Sequence, residues 1–258
     1  MNILVLVKAV PLVGEERLDD GWRTDRSSLE ANGADEYCLE KALQLAEGAG
    51  GEVTVLSMGP VGTSEALRKA LAMGAERAYH VEDAALSGSD IRATVRVLEA
   101  ALRRIDFDLL FSGVDSSDGR GGVVGAALAV RLGLPYLSDA ADVELVAGDR
   151  VRVRRLSAAG YDILEAATPA LVMGTQLLGE PRYPSLRGIM AARKKETVTW
   201  SLADLGIEPS SVGVPAATTR VLKAEPPAAR AGARVIQGTP DEAVEQVLAY
   251  LGDRGLAG

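Results

Sequence analysis

A Rossmann-like three-layer α/β fold, with a mostly parallel sheet and an extended C-terminal arm, is what this chain of 258 residues predicts. Three observations carry the prediction. Short aliphatic runs alternate with amphipathic stretches of helix length through the first half of the chain. The first run, Asn2 to Lys8 (NILVLVK), is apolar without alternation, the pattern of a strand covered by helices on both faces. A glycine-rich loop from Gly113 to Gly125 then stands between a strand-like run and an Ala/Leu/Val segment, where a parallel sheet opens toward a ligand.

Each element follows from its own residues. After the first strand, Pro11 to Ala31 is polar and irregular and reads as a long loop. Asn32 stands at a helix cap, Asp35 and Glu36 occupy the first turn, and Ala34, Cys38, Ala42 and Leu45 recur at helical spacing until Gly48. Glu52 to Ser57 is the second strand, and Met58-Gly59-Pro60 is a turn. Thr63 or Ser64 then caps a helix that Gly74 ends. Ala78 to Val81 gives a third strand, Asp90 to Arg104 an amphipathic helix, and Leu109 to Phe111 a fourth, short buried strand.

The loop after that strand carries Gly113, Gly119, Gly121, Gly122 and Gly125, with Asp118 placed to cap the next helix, which Gly133 and Pro135 close. Free amides at a helix N-terminus, helped by the dipole, form a site for phosphate. The same glycines would also serve an ordinary αβ turn, and glycine content alone does not separate the two. With right-handed crossovers, ligands belong beyond the carboxyl ends of the strands, an edge lined here by Lys8 to Val10, Met58 to Pro60 and the glycine loop.

Past Pro135 the pattern changes. Ala141 to Val146, Val151 to Leu156 and Tyr161 to Ala166 are short strand-like runs that extend or edge the sheet, with Ala147-Gly148-Asp149 as a hairpin turn. Pro169 to Met173 is a further strand. Residues 179–195 (GEPRYPSLRGIMAARKK) place an apolar Leu186 among Arg182, Arg187 and Arg193, which is how a docking anchor looks, although a solvated loop would carry the same charges. Residues 201–258 contain few core-forming runs apart from a helix over Pro240 to Leu251, and such segments wrap a partner or the parent domain. The expected division is therefore an α/β domain over 1–200, including the docking loop 179–195, and an arm over 201–258.

Composition narrows the function. With 47% hydrophobic and 25% charged residues the chain is globular, and a net charge of -8 argues against a general nucleic-acid binder. A single cysteine, Cys38, excludes an intrachain disulfide and fits a reducing compartment; one histidine, His80, leaves almost no material for zinc sites or Ser-His-Asp triads. Cys38 reads as core and His80 as structural. No apolar run reaches membrane-spanning length, and the N-terminal run is too short for a signal sequence, so a cytoplasmic protein is expected.

The segments VLVKAVP, NGADEYCLEKAL, VLSMGP, EALRKALAMGAERAYHV, SSDGRGGVVGAALAVRLGLP and above all GEPRYPSLRGIMAARKK resemble the beta subunit of electron-transfer flavoproteins over nearly the whole chain. The resemblance implies an adenine-nucleotide-binding, HUP-like fold and a heterodimer with an alpha subunit that holds most of a redox-active FAD. It implies that the beta subunit binds AMP and covers the flavin. Electrons then arrive from acyl-CoA or related dehydrogenases, as in fatty acid β-oxidation, and leave to a membrane quinone oxidoreductase. In electron-bifurcating members a second FAD replaces AMP. No bond chemistry is expected of the subunit itself.

Carried over residue by residue, the resemblance implies a nucleotide site of Leu6, Asn32, Gly33, Ala34, Asp35, Met58, Asp118, Gly119, Arg120, Gly121, Gly122, Val123, Val124, Gly125, Ala126, Ala127, Leu128 and Ala129. The docking residues expected are Arg182, Tyr183, Leu186, Arg187, Ile189 and Met190. Many family members read Asp-Gly-Asp-Thr-x-Gln-Val-Gly in the loop. Here Asp118-Gly119-Arg120-Gly121-Gly122-Val123-Val124-Gly125 puts glycine amides and one arginine where those side-chain donors stand, and Val13 stands where some members carry a tyrosine toward the flavin. Two rivals fit less well. Ser112-Gly113-Val114-Asp115-Ser116 echoes the Ser-Gly-Gly-x-Asp-Ser loop of ATP pyrophosphatases, but follows the fourth strand rather than the first and lacks the second glycine. A stress-type nucleotide-binding protein would explain the core but not residues 179–195 or the long tail.

Overall fold

The computed structural model describes residues 1–146, 149–225, 232 and 235–256. Its core is a nine-stranded sheet in the order β11-β5-β4-β1-β6-β10-β7-β8-β9. The strands are β1 (Asn2–Leu6), β2 (Ala9–Pro11), β3 (Leu29–Ala31), β4 (Glu52–Met58), β5 (Arg77–Val81), β6 (Leu109–Gly113), β7 (Tyr136–Val146), β8 (Arg150–Ser157), β9 (Gly160–Ala167), β10 (Ala170–Gly174) and β11 (Thr197–Trp200). The helices are α1 (Gly33–Ala49), α2 (Thr63–Met73), α3 (Ile91–Leu102), α4 (Val124–Leu132), α5 (Leu186–Ala192), α6 (Gly213–Ala216) and α7 (Pro240–Gly252). None is long and apolar enough to cross a membrane.

The unbroken aliphatic character of β1 has a direct cause. Ile3 and Val5 point into one apolar layer with Leu39, Ala42 and Leu43 of α1 and Leu67 and Ala70 of α2, whereas Leu4 and Leu6 point into a second layer with Val97 and Leu98 of α3 and Leu128 of α4. Parallel registers such as Val5↔Val55 and Val5↔Phe111 put an apolar residue beside an apolar residue across the sheet. Each fully buried leucine or phenylalanine in these layers is worth about 1.5–3 kcal/mol. The three-layer expectation is met.

From β1 the chain winds outward through β4 to β5, then α3 carries it back across the sheet to β6 on the other side of β1. The strand order therefore reverses between β1 and β6, and a crevice opens beyond their carboxyl ends. The strands beyond β10 form a meander in which β8 and β9 run antiparallel, as the change of pattern after Pro135 implied. The expected turn residues Ala147 and Gly148 lie outside the described residues.

Several local expectations differ from the structure. The long loop is pinned at both ends, because Ala9 to Pro11 pairs antiparallel with Leu29 to Ala31. Neither Thr63 nor Ser64 caps α2; its N-cap is Gly62, without a side-chain bond. The strand placed at Pro169 begins at Ala170 and ends at Gly174. Thr197–Trp200, unassigned from sequence, adds a parallel edge strand on β5, and Trp200 stacks on Tyr79 at 4.7 Å between ring centroids.

The expected boundary at residue 200 also moves. One compact unit runs from Met1 to Val221 and a second from Leu222 to Gly258. Leu202, Leu205, Ile207 and Val212 are buried in the α3/α4 layer, so residues 201–221 complete the core rather than begin an arm. Within the second unit, α7 opens with a capping box between Thr239 and Glu242, and Val244, Val247 and Leu248 on it are exposed.

Candidate functional site

The crevice at the β1/β6 reversal is built by charged and polar side chains turned inward. Asp35, in the first turn of α1, is buried. It accepts the Lys8 amide at 2.8 Å and the Gly113 amide at 3.1 Å, stapling the exits of β1 and β6 to one carboxylate. Burial outweighs those hydrogen bonds and pushes its pKa up to about 7. Gly113 is required here, since a Cβ would run into Asp35 Oδ1 and Ala34. Asn32 occupies the N-cap of α1 but makes no capping bond. Its amide instead spans to the glycine loop, donating to the Asp115 carbonyl at 2.8 Å and accepting the Ser117 amide at 3.2 Å.

Asp118 does not cap α4. Its side chain, only 4% exposed, sits between Lys8 Nζ at 2.6 Å and Arg26 at 2.7 Å. Burial pushes its pKa up, but the bonds from Lys8 and the Arg26 charge overcome that and leave it at about 2. Lys8 Nζ also donates to Ser116 Oγ at 2.9 Å, and Arg26 donates to the Ala9 carbonyl at 2.8 Å. These contacts tie the end of β1, the segment between β2 and β3, and the loop after β6 into one rim.

Beyond that rim the loop is open. Gly119, Arg120, Gly121, Gly122 and Val123 are exposed, and Gly122 adopts φ 62°. α4 starts at Val124 with Val123 as N-cap and no side-chain cap, so its first-turn amides face outward without intrahelical partners. Ser112 Oγ is buried with no hydrogen-bond partner among the described residues, and a Cβ on Gly125 would lie 2.5 Å from it. An uncapped helix start, an orphan hydroxyl behind it and exposed glycine amides suit an anionic group.

The remaining expected residues divide by burial. Met58, Ala34, Val124, Ala126 and Ala127 are half-buried along this edge, and Gly33 is exposed at the start of α1. Leu6, Leu128 and Ala129 belong to the α3/α4 layer and pack the sheet beneath the edge. Sequence reasoning passed over Arg26, read Ser112 and Ser116 only as an echo of the ATP pyrophosphatase loop, and noted Lys8 only as lining. A cation closing an aliphatic strand was the available signal. Cys38 and His80 are structural, as expected: Cys38 is buried with Sγ 3.3 Å from the Ser112 carbonyl, and His80 Nε2 lies 3.0 Å from the Gly59 carbonyl.

A second feature lies on α5. Ser185 caps this helix through the Gly188 amide at 3.0 Å, so Leu186 opens a helix rather than riding a loop. Gly188 sits against the Ala72 carbonyl of α2, where a Cβ would collide, so this glycine is a packing requirement. Ala192 is buried, yet Tyr183 is 94% and Leu186 78% exposed, with Ile189 and Met190 also exposed. Leu186, Ile189 and Met190 fall at i, i+3 and i+4, an apolar stripe facing away from the core. Arg187 is exposed beside it. Arg182 is not a free cation: it is bound to Glu40 and Glu47 of α1.

Comparison with known proteins shows the family. The electron transfer flavoprotein domain family matches residues 22–205. The chain is 37% identical over 258 residues to the electron transfer flavoprotein subunit beta of Thermoanaerobacterium thermosaccharolyticum, covering 98% of this chain and 99% of the relative. It is 40% identical over 261 residues to the subunit of the same name from Mycobacterium leprae, covering 97% of each. It is also 35% identical over 244 residues to the caffeyl-CoA reductase-Etf complex subunit CarD of Acetobacterium woodii, covering 93% of each.

Proposed function

The chain belongs to the electron transfer flavoprotein family as a beta subunit, and from that premise we propose that it binds AMP at the β1/β6 edge and covers an FAD held mainly by its alpha-subunit partner. The FAD supplies the redox chemistry when bound. This chain binds, orients and shields; it carries no bond-making step of its own. Electrons enter from acyl-CoA or related dehydrogenases, as in fatty acid β-oxidation in the cytoplasm, and leave to a quinone oxidoreductase.

The observation that carries the nucleotide reading is the uncapped start of α4 beside exposed glycine amides. Amides at such a start favour a phosphate. Arg120 is exposed next to them and supplies the compensating charge, whereas Lys8 and Arg26 are already matched by Asp118 and hold the rim. Asn32 fixes the loop to α1, and Ser112 offers an unused hydroxyl behind Gly125. Dehydrogenase docking falls to the exposed stripe of Tyr183, Leu186, Ile189 and Met190, with Arg187 steering an acidic surface. The segment from Leu222 onward, with its exposed apolar residues on α7, wraps the alpha subunit.

A second FAD in place of AMP is the alternative. It is favoured by the loss of side-chain donors at 121, where glycine replaces threonine, and at 123, where valine replaces glutamine, which leaves fewer polar groups to fix a phosphate. Co-purification with the alpha subunit, acid release and chromatography of the nucleotides separates the two. One FAD and one AMP per heterodimer fits the proposal, and two FAD fits the alternative.

A further inference from the structure

The connection into α5 is held in an unusual way. Residues 179–185 form no regular structure, and two of them, Pro181 and Pro184, have no amide to donate. Among the described residues, the one hydrogen bond made by the backbone of 179–184 runs from the Arg182 amide to Glu40 Oε2, at 3.0 Å. The Arg182 side chain repeats the attachment. Its Nε reaches Glu40 Oε2 at 2.8 Å and one terminal nitrogen reaches Glu40 Oε1 at 3.1 Å. Both terminal nitrogens also reach Glu47, at 2.5 and 3.1 Å.

The acceptor is itself fixed. Glu40 is 4% exposed, lies mid-helix on α1 and takes a further bond from Gln44 at 2.9 Å. One guanidinium therefore bridges two carboxylates a helical spacing apart, in the forked geometry that arginine provides and lysine does not. The next residue, Tyr183, is almost fully exposed, and Leu186 follows three residues later. Exposed apolar side chains on an untethered strap would fold back or sample many conformations, and ordering them would oppose docking.

We propose that Arg182 is a positioning residue: by clamping residues 179–185 to α1 through Glu40 and Glu47, it holds Tyr183 and Leu186 outward in the conformation an electron-donating flavoprotein dehydrogenase meets. It is not itself a contact for that partner, and its charge is not available for steering. The inference rests on the docking role of the α5 stripe proposed above, and the test separates the two.

The test uses the purified heterodimer, with an acyl-CoA dehydrogenase reduced by its own acyl-CoA substrate as donor. Leu186→Ala probes the stripe alone; if it leaves KM for the donor unchanged, the docking reading fails. With that effect in hand, Arg182→Gln and Arg182→Lys are compared. Both should raise KM about 3–10-fold with kcat and bound FAD unchanged, because lysine keeps the charge but cannot span both carboxylates. Adding Arg182→Gln to Leu186→Ala should change KM by no more than about twofold, since residues acting through one contact are not additive. Amide exchange should rise over 180–187 and stay unchanged in the sheet. Wild-type KM in Arg182→Lys, full multiplication of the two effects, or unchanged exchange in Arg182→Gln would each overturn the clamp.

Discussion

The β1/β6 edge and the α5 stripe are opposite solutions built off one helix. At the edge, α1 and its N-cap turn Asp35 and Asn32 inward and the cations Lys8 and Arg26 share the buried Asp118, whereas at α5 the same helix offers Glu40 and Glu47 so that apolar side chains can be held outward. The difference fits the roles proposed for the two regions. A small anion needs donors fixed in place before it arrives, and a protein partner needs apolar surface that is not already spent on the core. Disturbing the edge should therefore alter folding and nucleotide retention together, and disturbing the stripe should alter docking alone.

The largest effect should come from Gly113→Val. Its Cβ collides with the buried Asp35 Oδ1 and with the backbone carbon and Cβ of Ala34. A loss of about 3 kcal/mol or more is expected, read as a clear fall in melting temperature of the heterodimer. An unchanged melting temperature would show that the staple at Asp35 is dispensable.

Next in size is pH dependence, where the two acids of the edge act with opposite sign. Asp118 titrates at about 2 when folded against a usual 3.8, so its stabilisation is present above about pH 4 and is lost as pH falls toward 2, a loss of about 2 kcal/mol. Asp35 is raised to about 7, so the folded state holds its proton and stability declines as pH rises from about 4 to 7. Melting temperature against pH should fall on both sides of a maximum near pH 4–5 in so far as these two groups control it. Asp118→Asn should flatten the acid limb only.

Leu186→Ala should weaken donor docking by roughly tenfold, acting mainly on dissociation, with melting temperature and bound nucleotides unchanged. If stability falls and transfer per folded molecule does not, the stripe belongs to the core and the contrast between the regions disappears. Within the edge, a smaller effect on folding than that of Gly113→Val should come from Gly122→Val, where a β-branched residue must adopt φ 62° in an exposed loop, at a cost of about 1–2 kcal/mol.

Much of this was legible in the sequence because the core is written in local patterns. The unbroken run of β1, the helical spacing in α1 and the loss of pattern after Pro135 each follow from burial on two faces, one face or one side of a meander. What escaped was set by distant contacts. Asp118 reads as a helix cap from its neighbours, but Lys8 and Arg26, 110 and 92 residues away, take its carboxylate. Arg182 reads as one of several docking cations, yet Glu40, 142 residues earlier, claims it. Leu186 was visible as an anchor among charges, but its helix depends on Ser185 and on Gly188 meeting α2. The TVTW strand is too short to declare itself without β5 beside it.

The central claim is that the β1/β6 edge holds the AMP of an electron-transfer flavoprotein heterodimer, and nucleotide content tests it most directly. Wild-type heterodimer and the Gly122→Val variant are purified side by side, and released nucleotides are counted per heterodimer. The account predicts one FAD and one AMP in the wild type, with AMP reduced and FAD retained in the variant. A wild type that releases no AMP, or a variant that keeps both nucleotides in full, would contradict it.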